Sequence, residues 1–199
     1  MIHCAIIGAG QIGSRHLQAL CKLESPARVA LVDPSDESLQ TASDRYQEGV
    51  SSGKQNIELY SHHSLDALSG TLDIVIVATN SIVREKIIRD VIQKRIAKNL
   101  ILEKILFQKK DQYIEIDALL KESSIPTWVN CWMRTTDLFK QIKSALHSND
   151  PIQMKVDGPR WGMSTTSIHF MDLLSFFTGC NDFKFTEVHL EDKVQDSKR

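Results

Sequence analysis

The sequence predicts an α/β protein: a doubly wound parallel sheet with helices on both faces, followed by a truncated α+β second domain. Three observations carry this reading. Short β-rich runs alternate with helical patterns over the first two thirds of the chain, the pattern of a parallel sheet covered on both sides. The first strand runs straight into a glycine-rich turn that opens a helix. After Cys131 the alternation gives way to a shorter mixed unit and a charged tail.

In chain order, the expected elements are strand Ile2–Ile7, helix Ile12–Leu23, strand Arg28–Val32, helix Asp36–Gln47, strand Ile57–Tyr60 and a short helix at Leu65–Leu68. Strand Asp73–Val77, helix Ile82–Lys94, strand Asn99–Leu102, helix Asp111–Lys121 and strand Thr127–Cys131 continue the alternation. The strands are short apolar runs of the kind buried on both faces of a sheet. The helices show a half-buried period: Ile82, Ile87 and Val91, flanked by Ile88 and Ile92, face inward, and Arg84, Glu85, Lys86, Arg89 and Lys94 are expected to face solvent. The polar stretch Val50–Asn56 reads as a surface loop.

Beyond Cys131 the sequence predicts helix Asp137–Leu146, a turn at "HSNDP", strand Ile152–Val156, a loop "DGPRWGM", an apolar helix Ser167–Phe177, a last strand Phe183–Leu190 and a frayed tail. Residues 1–132 are therefore expected to form one domain and 133–199 a partial second one. Two strands leave that second unit with exposed edges, so it either packs on the first domain, pairs with another chain or is incomplete.

Composition narrows the function. A chain of 199 residues, 42% hydrophobic and 25% charged, is an ordinary globular protein. Its formal charge of −1, with both signs interspersed, gives no footprint for nucleic acid or an anionic membrane. The longest apolar stretches are strand-sized, far short of the roughly 20 residues that span a bilayer. With no basic leader before the first strand, no signal peptide is expected and the cytoplasm is the expected compartment. Cys4, Cys21, Cys131 and Cys180 lie far apart in apolar sequence and read as reduced core or subsurface thiols. The adjacent His62 and His63 point different ways in any regular element, and no metal site is expected.

The segment "IIGAGQIGSRHL" places Gly8, Gly10 and Gly13 in the spacing G-x-G-x-x-G between a strand and a helix. Alone that spacing is a weak signal; in this context each glycine has a role. Gly8 permits the tight turn, Gly10 lets backbone approach a pyrophosphate, and Gly13 lets the helix pack on the sheet, the arrangement of a Rossmann-type dinucleotide site. Gln11 and Ile12 open that helix, whose N-terminal N–H groups and partial positive charge suit phosphate. Asp33 follows about 20 residues later, at the end of the second strand, where an acid accepts from the ribose hydroxyls. Its charge opposes a 2′-phosphate and no Arg follows immediately, so NAD is preferred to NADP.

With these residues in hand, the chain resembles the Gfo/Idh/MocA family of NAD(P)-dependent oxidoreductases, which act on sugars, sugar derivatives and cyclitols. The likeness is carried by "IIGAGQIGSRHL", "DIVIVATNS", "LILEKIL" and "WGMSTTSIHFMDLLSFFTG", in the family's order and spacing. The resemblance implies a Rossmann NAD(P)-binding domain followed by a substrate and dimerisation domain. Glu103-Lys104 matches its E-K-P motif, which implies Glu103 as a cofactor contact and a lysine, Lys104, beside the nicotinamide and the substrate hydroxyl, although Ile105 replaces the proline. An ammonium there stabilises a developing alkoxide and relays its proton; a surface ion pair is the plainer reading of the dipeptide.

"ATNS" partly matches the family's A-T-P-N loop and implies Thr79 and Asn80 as cofactor contacts. Asn80 replaces the proline and Arg84 stands where a histidine is common. A simple strand-to-helix turn capped by Asn80 or Ser81 fits equally well. His169 matches the histidine of the family's D-x-x-x-H motif, the acid/base group. Thr165 stands in place of the aspartate, and a hydroxyl orients an imidazole without supplying charge. Asp172, one turn on, is the candidate to compensate.

His169, Asp172 and Ser175 form a polar stripe on an otherwise apolar helix, so a structural role is the alternative for His169. Asn130, Arg134 and Trp161 match weaker family features at the expected substrate side, where Trp161 equally suits a core anchor. The "WG…SIHFMDL" variant resembles subfamily members tied to bacterial surface-carbohydrate synthesis, which implies a nucleotide-linked or acidic sugar. Two functions follow from the likeness: a sugar oxidoreductase using Lys104 and His169, with a homo-oligomer through its second domain as the implied assembly, or a non-catalytic nucleotide-binding remnant or partner subunit.

Overall fold

The computed structural model describes residues 1–50, 56–147, 151–158 and 162–189. It separates into two compact units, Met1–Cys131 and Trp132–Arg199.

The first unit is a six-stranded, all-parallel sheet in the order β3-β2-β1-β4-β5-β6. Its strands are β1 (Ile2–Ile7), β2 (Ala27–Val32), β3 (Ile57–His62), β4 (Ile74–Val77), β5 (Leu100–Leu102) and β6 (Thr127–Val129). The helices between them are α1 (Gln11–Ala19), α2 (Asp36–Val50), α3 (Arg84–Gln93) and α4 (Lys110–Ser123). This is the Rossmann order, which reverses direction between β1 and β4, the switch point where ligands bind in such sheets.

The alternation of β1 explains the two-sided core. Ala5 and Ile7 point to the face covered by α3 and α4, where they meet Val75, Val77, Ile88, Val91 and Ile116. Cys4 and Ile6 point to the other face, against Leu17 of α1 and Leu39, Ala42 and Tyr46 of α2. A strand buried on both sides has no polar position to offer, which is why "IHCAII" carries none past His3.

The second unit contains a 3-10 turn at Trp132–Thr135, α5 (Asp137–Ala145) and α6 (Met163–Thr178), which ends at Gly179 in the left-handed conformation expected of a helix cap. Neither strand expected there forms: 152–156 and 183–189 are coil. Local alternation marks a segment able to bury one face, but a strand also needs a neighbour to fill its ladder, and none pairs with these segments among the described residues. Helix α6 starts at Met163, four residues before the expected Ser167, because nothing in "MSTT" stops it. Trp161, Leu190, the tail and most of the 50–56 loop and the "HSNDP" turn lie outside the described residues.

Two further expectations are corrected. Arg84 is buried at 3% exposure, whereas Ile82, placed on the inner face by periodicity, is 70% exposed in the turn before α3. Cys180 is exposed, while Cys4 and Cys131 are buried; no disulfide links the cysteines. Among the described residues no helix is long and apolar enough to cross a membrane.

Candidate functional site

The parallel ladder continues one residue past the strand ends. Gly8 N–H donates to Val32 O (2.8 Å), Ala78 N–H to Ile7 O (2.8 Å), Glu103 N–H to Val77 O (3.1 Å) and Asn130 N–H to Leu102 O (2.8 Å). Asp33 N–H donates likewise to His62 O at 3.0 Å. The predicted residues after β1, β2, β4, β5 and β6 are thereby held side by side along the carboxyl edge of the sheet.

At the switch point the glycine loop is compressed. Gly8 has φ +96° and a Cβ there would sit 2.8 Å from Thr79 N; a Cβ on Gly13 would sit 1.7 Å from Gly8 O. No side chain fits either place. A Cβ on Gly10, by contrast, would meet nothing within 4 Å. Gly10 is therefore exposed beside open space, with the free N–H groups of the α1 first turn at Gln11, Ile12 and Gly13. That turn has no acidic residue and no side-chain cap, so no protein group competes for an anion there.

Asp33 stands over the same loop. Its Oδ2 accepts from Ala9 N–H (2.8 Å) and its Oδ1 from Ser35 N–H (2.9 Å). Each oxygen keeps a second lone pair for a diol, and the carboxylate cannot swing away. An open cradle at Gly10, a helix N-terminus and a pinned acid together suit a dinucleotide.

On the other side of the switch point, Thr79 has a buried hydroxyl with no hydrogen-bond partner among the described residues. Asn80 is exposed, and its Oδ1 accepts from Ile82 N–H (3.0 Å) and Val83 N–H (3.3 Å), so at least its oxygen serves as a turn cap. Glu103 is buried at 4% exposure. Its Oε1 is 2.7 Å from His16 Nε2 and accepts from Asn130 Nδ2 at 2.6 Å. Burial pushes this carboxyl up, but the hydrogen bonds from His16 and Asn130 and the charges of His16 and Lys104 outweigh it and hold it below the ordinary glutamate value. An ionised Glu103 can only accept, which places the proton of that contact on His16 Nε2. The pair ties α1 to the ends of β5 and β6, next to Lys104.

Sequence reasoning missed His16. The available signal was its place one turn after Gly13, on the helix that the glycines hold against the sheet.

The second unit holds His169 buried, with its ring 6.2 Å from that of Trp132. Asp172 on the same helix accepts Arg134 Nε at 2.8 Å, and both of its oxygens are taken by the guanidinium. Arg134 thus occupies the acid that was the candidate to compensate at His169. Thr165 Oγ donates to Gly162 O (3.1 Å), and Ser175 Oγ donates to Asn181 Oδ1. Two members of the polar stripe, His169 and Ser175, are buried together with Leu173, whereas Asp172, Phe176 and Phe177 are half-buried.

The sequence profile of the Gfo/Idh/MocA oxidoreductase family, NAD-binding Rossmann fold, matches residues 2–131. The chain belongs to this family. No curated protein matches it in sequence. Solved structures share the fold at low identity. An Agrobacterium radiobacter oxidoreductase in complex with NAD+, L-tartaric acid and magnesium is 18% identical with a TM-score of 0.70, covering 89% of this chain and 55% of its own. Myo-inositol 2-dehydrogenase from Lactobacillus plantarum is 17% identical (TM-score 0.66; 89% and 56%). The WlbA dehydrogenase from Chromobacterium violaceum, in complex with NADH and UDP-GlcNAcA, is 19% identical (TM-score 0.64; 88% and 55%). The chain thus spans little more than half the length of these structures, and its matched domain is of the NAD-binding type.

Proposed function

We propose that the chain is an NAD-dependent oxidoreductase acting at a hydroxyl or carbonyl carbon of a sugar-like substrate, with residues 1–132 as the cofactor domain and 133–199 as part of a substrate domain. The observation that carries the reading is the carboxyl edge of the sheet, where the Gly10 cradle, Asp33 and the Glu103-Lys104 strand end stand on one hydrogen-bonded rail. Gly8, Gly10, Gln11, Ile12 and Gly13 would hold the pyrophosphate, Asp33 the adenosine ribose, and Thr79 and Asn80 the nicotinamide side. When bound, the nicotinamide supplies the hydride acceptor or donor.

Lys104 stabilises negative charge on the substrate oxygen and relays its proton. Glu103 and His16 fix the strand end from which Lys104 extends. His169 is the second proton-handling group, in the second unit. Asp33 disfavours a 2′-phosphate, which selects NAD over NADP. The substrate class best supported is a nucleotide-linked or acidic sugar, since the Chromobacterium relative carries UDP-GlcNAcA and the His169 segment resembles surface-carbohydrate enzymes. We place the protein in the cytoplasm.

Specific observations also favour a second reading, a nucleotide-binding subunit without turnover: Thr165 replaces the motif acid, and Asp172 is engaged by Arg134. NADH titration by fluorescence, followed by turnover with a panel of free, acidic and nucleotide-linked sugars, separates the two. Saturable binding with turnover supports the enzyme, binding without turnover supports the subunit, and absence of binding overturns both. Lys104→Ala is expected to lower turnover by about 10²–10⁴-fold while leaving NADH affinity nearly intact.

A further inference from the structure

Arg84 opens α3, yet its guanidinium lies inside the protein. Its Nη2 donates to Thr79 O, and its Nη1 donates to Ile105 O and to Leu106 O (3.2 Å). Thr79 belongs to the loop after β4, and Ile105 and Leu106 to the loop after β5. One planar group therefore bridges two loops that meet nowhere in sequence.

The energetics argue for a purpose beyond stability. A buried guanidinium is desolvated at considerable cost, and here its hydrogen-bond acceptors are three neutral carbonyls. Glu103 compensates through its charge, without a hydrogen bond to the guanidinium among the described contacts. What this arrangement provides is geometry: the rigid fork fixes the separation of Thr79 from the backbone immediately after Lys104. Thr79 is itself pressed on Gly8 by the close approach of their backbones. The fork thus closes a chain of contacts from the glycine loop through the β4 loop to the β5 loop.

We propose that Arg84 is a positioning residue that sets the nicotinamide side of the cofactor site by locking the Thr79 loop to the Lys104 loop. The assignment builds on the cofactor reading above, and it divides the site in two. The glycine loop and Asp33 serve the adenosine diphosphate half, and Arg84 hydrogen-bonds neither among the described contacts. The Thr79 and Lys104 loops serve the other half and depend on it.

ADP-ribose and NADH, titrated in parallel against wild type, Arg84→Lys and Arg84→Met, test this. Both variants are expected to bind NADH about tenfold more weakly, because carbonyls left without donors no longer hold the two loops together. ADP-ribose affinity should stay within about twofold of wild type. Arg84→Lys keeps the cation and removes only the fork, so it carries the test if Arg84→Met does not fold, as judged by circular dichroism. Unchanged NADH affinity in Arg84→Lys overturns the proposal, and so does an equal loss of both ligands, which marks a general loosening. A wild-type chain that binds neither ligand overturns the cofactor reading instead.

Discussion

The two units hold their candidate functional groups by different means. In the first, backbone does the holding: Gly8, Asp33, Glu103 and Asn130 each complete a rung of the parallel ladder, so their positions follow from the sheet. In the second, side chains do it: Arg134 grips Asp172, Ser175 reaches Asn181, and Trp132 lies edge-on to His169. A backbone-fixed site tolerates side-chain change away from its contacts and fails sharply where a Cβ intrudes. A side-chain-fixed group depends on pairwise contacts that are individually modest.

The largest expected effect is at Gly13. Gly13→Ala puts a methyl group into Gly8 O and should cost about 3 kcal/mol in urea unfolding, together with NADH binding. Gly10→Ala is the control: its Cβ meets nothing, so stability should move by less than about 0.5 kcal/mol while NADH affinity falls. Equal destabilisation by the two changes would remove the distinction between a packing glycine and a cradle glycine.

Glu103→Gln comes next, at about 2 kcal/mol near neutral pH, since it weakens a buried charged hydrogen-bond pair. Its sign with pH is fixed. A carboxyl held below its unfolded value of about 4.3 contributes stability above that pH and loses it as pH falls through the folded value. The gap between wild type and Glu103→Gln, measured by urea midpoint, should therefore narrow below about pH 4. A gap independent of pH would show that Glu103 acts through shape alone.

The smallest effect is expected in the second unit. Arg134 is 40% exposed, so a double-mutant cycle of Arg134→Met with Asp172→Asn should give a coupling of about 1 kcal/mol or less, weakened by salt. A coupling as large as the Gly13 effect would break the comparison between the units.

What the sequence made legible follows the same division. Gly8 and Gly13 were readable because no other residue tolerates their surroundings, and Asp33 because its distance from the glycines is set by one strand-helix-strand unit. Arg84 was misread because helical periodicity places a charge on a solvent face, whereas its partners are carbonyls of the loop that leads into its own helix and of the loop after β5, 21 and 22 positions on. The expected strands were misread at 152–156 and 183–189 because alternation describes one segment, and pairing requires another. Asp172 was identified as an acid on the right stripe, but its partner Arg134 comes from a segment 38 positions earlier that no local pattern connects to it.

The extended ladder at the carboxyl edge has a thermodynamic consequence. Because site residues make the outermost rungs themselves, fraying of the sheet and loss of the binding geometry are one event. A ligand seated on those loops must then act as a clamp on the sheet, and its binding free energy becomes resistance of β1, β4 and β5 to opening.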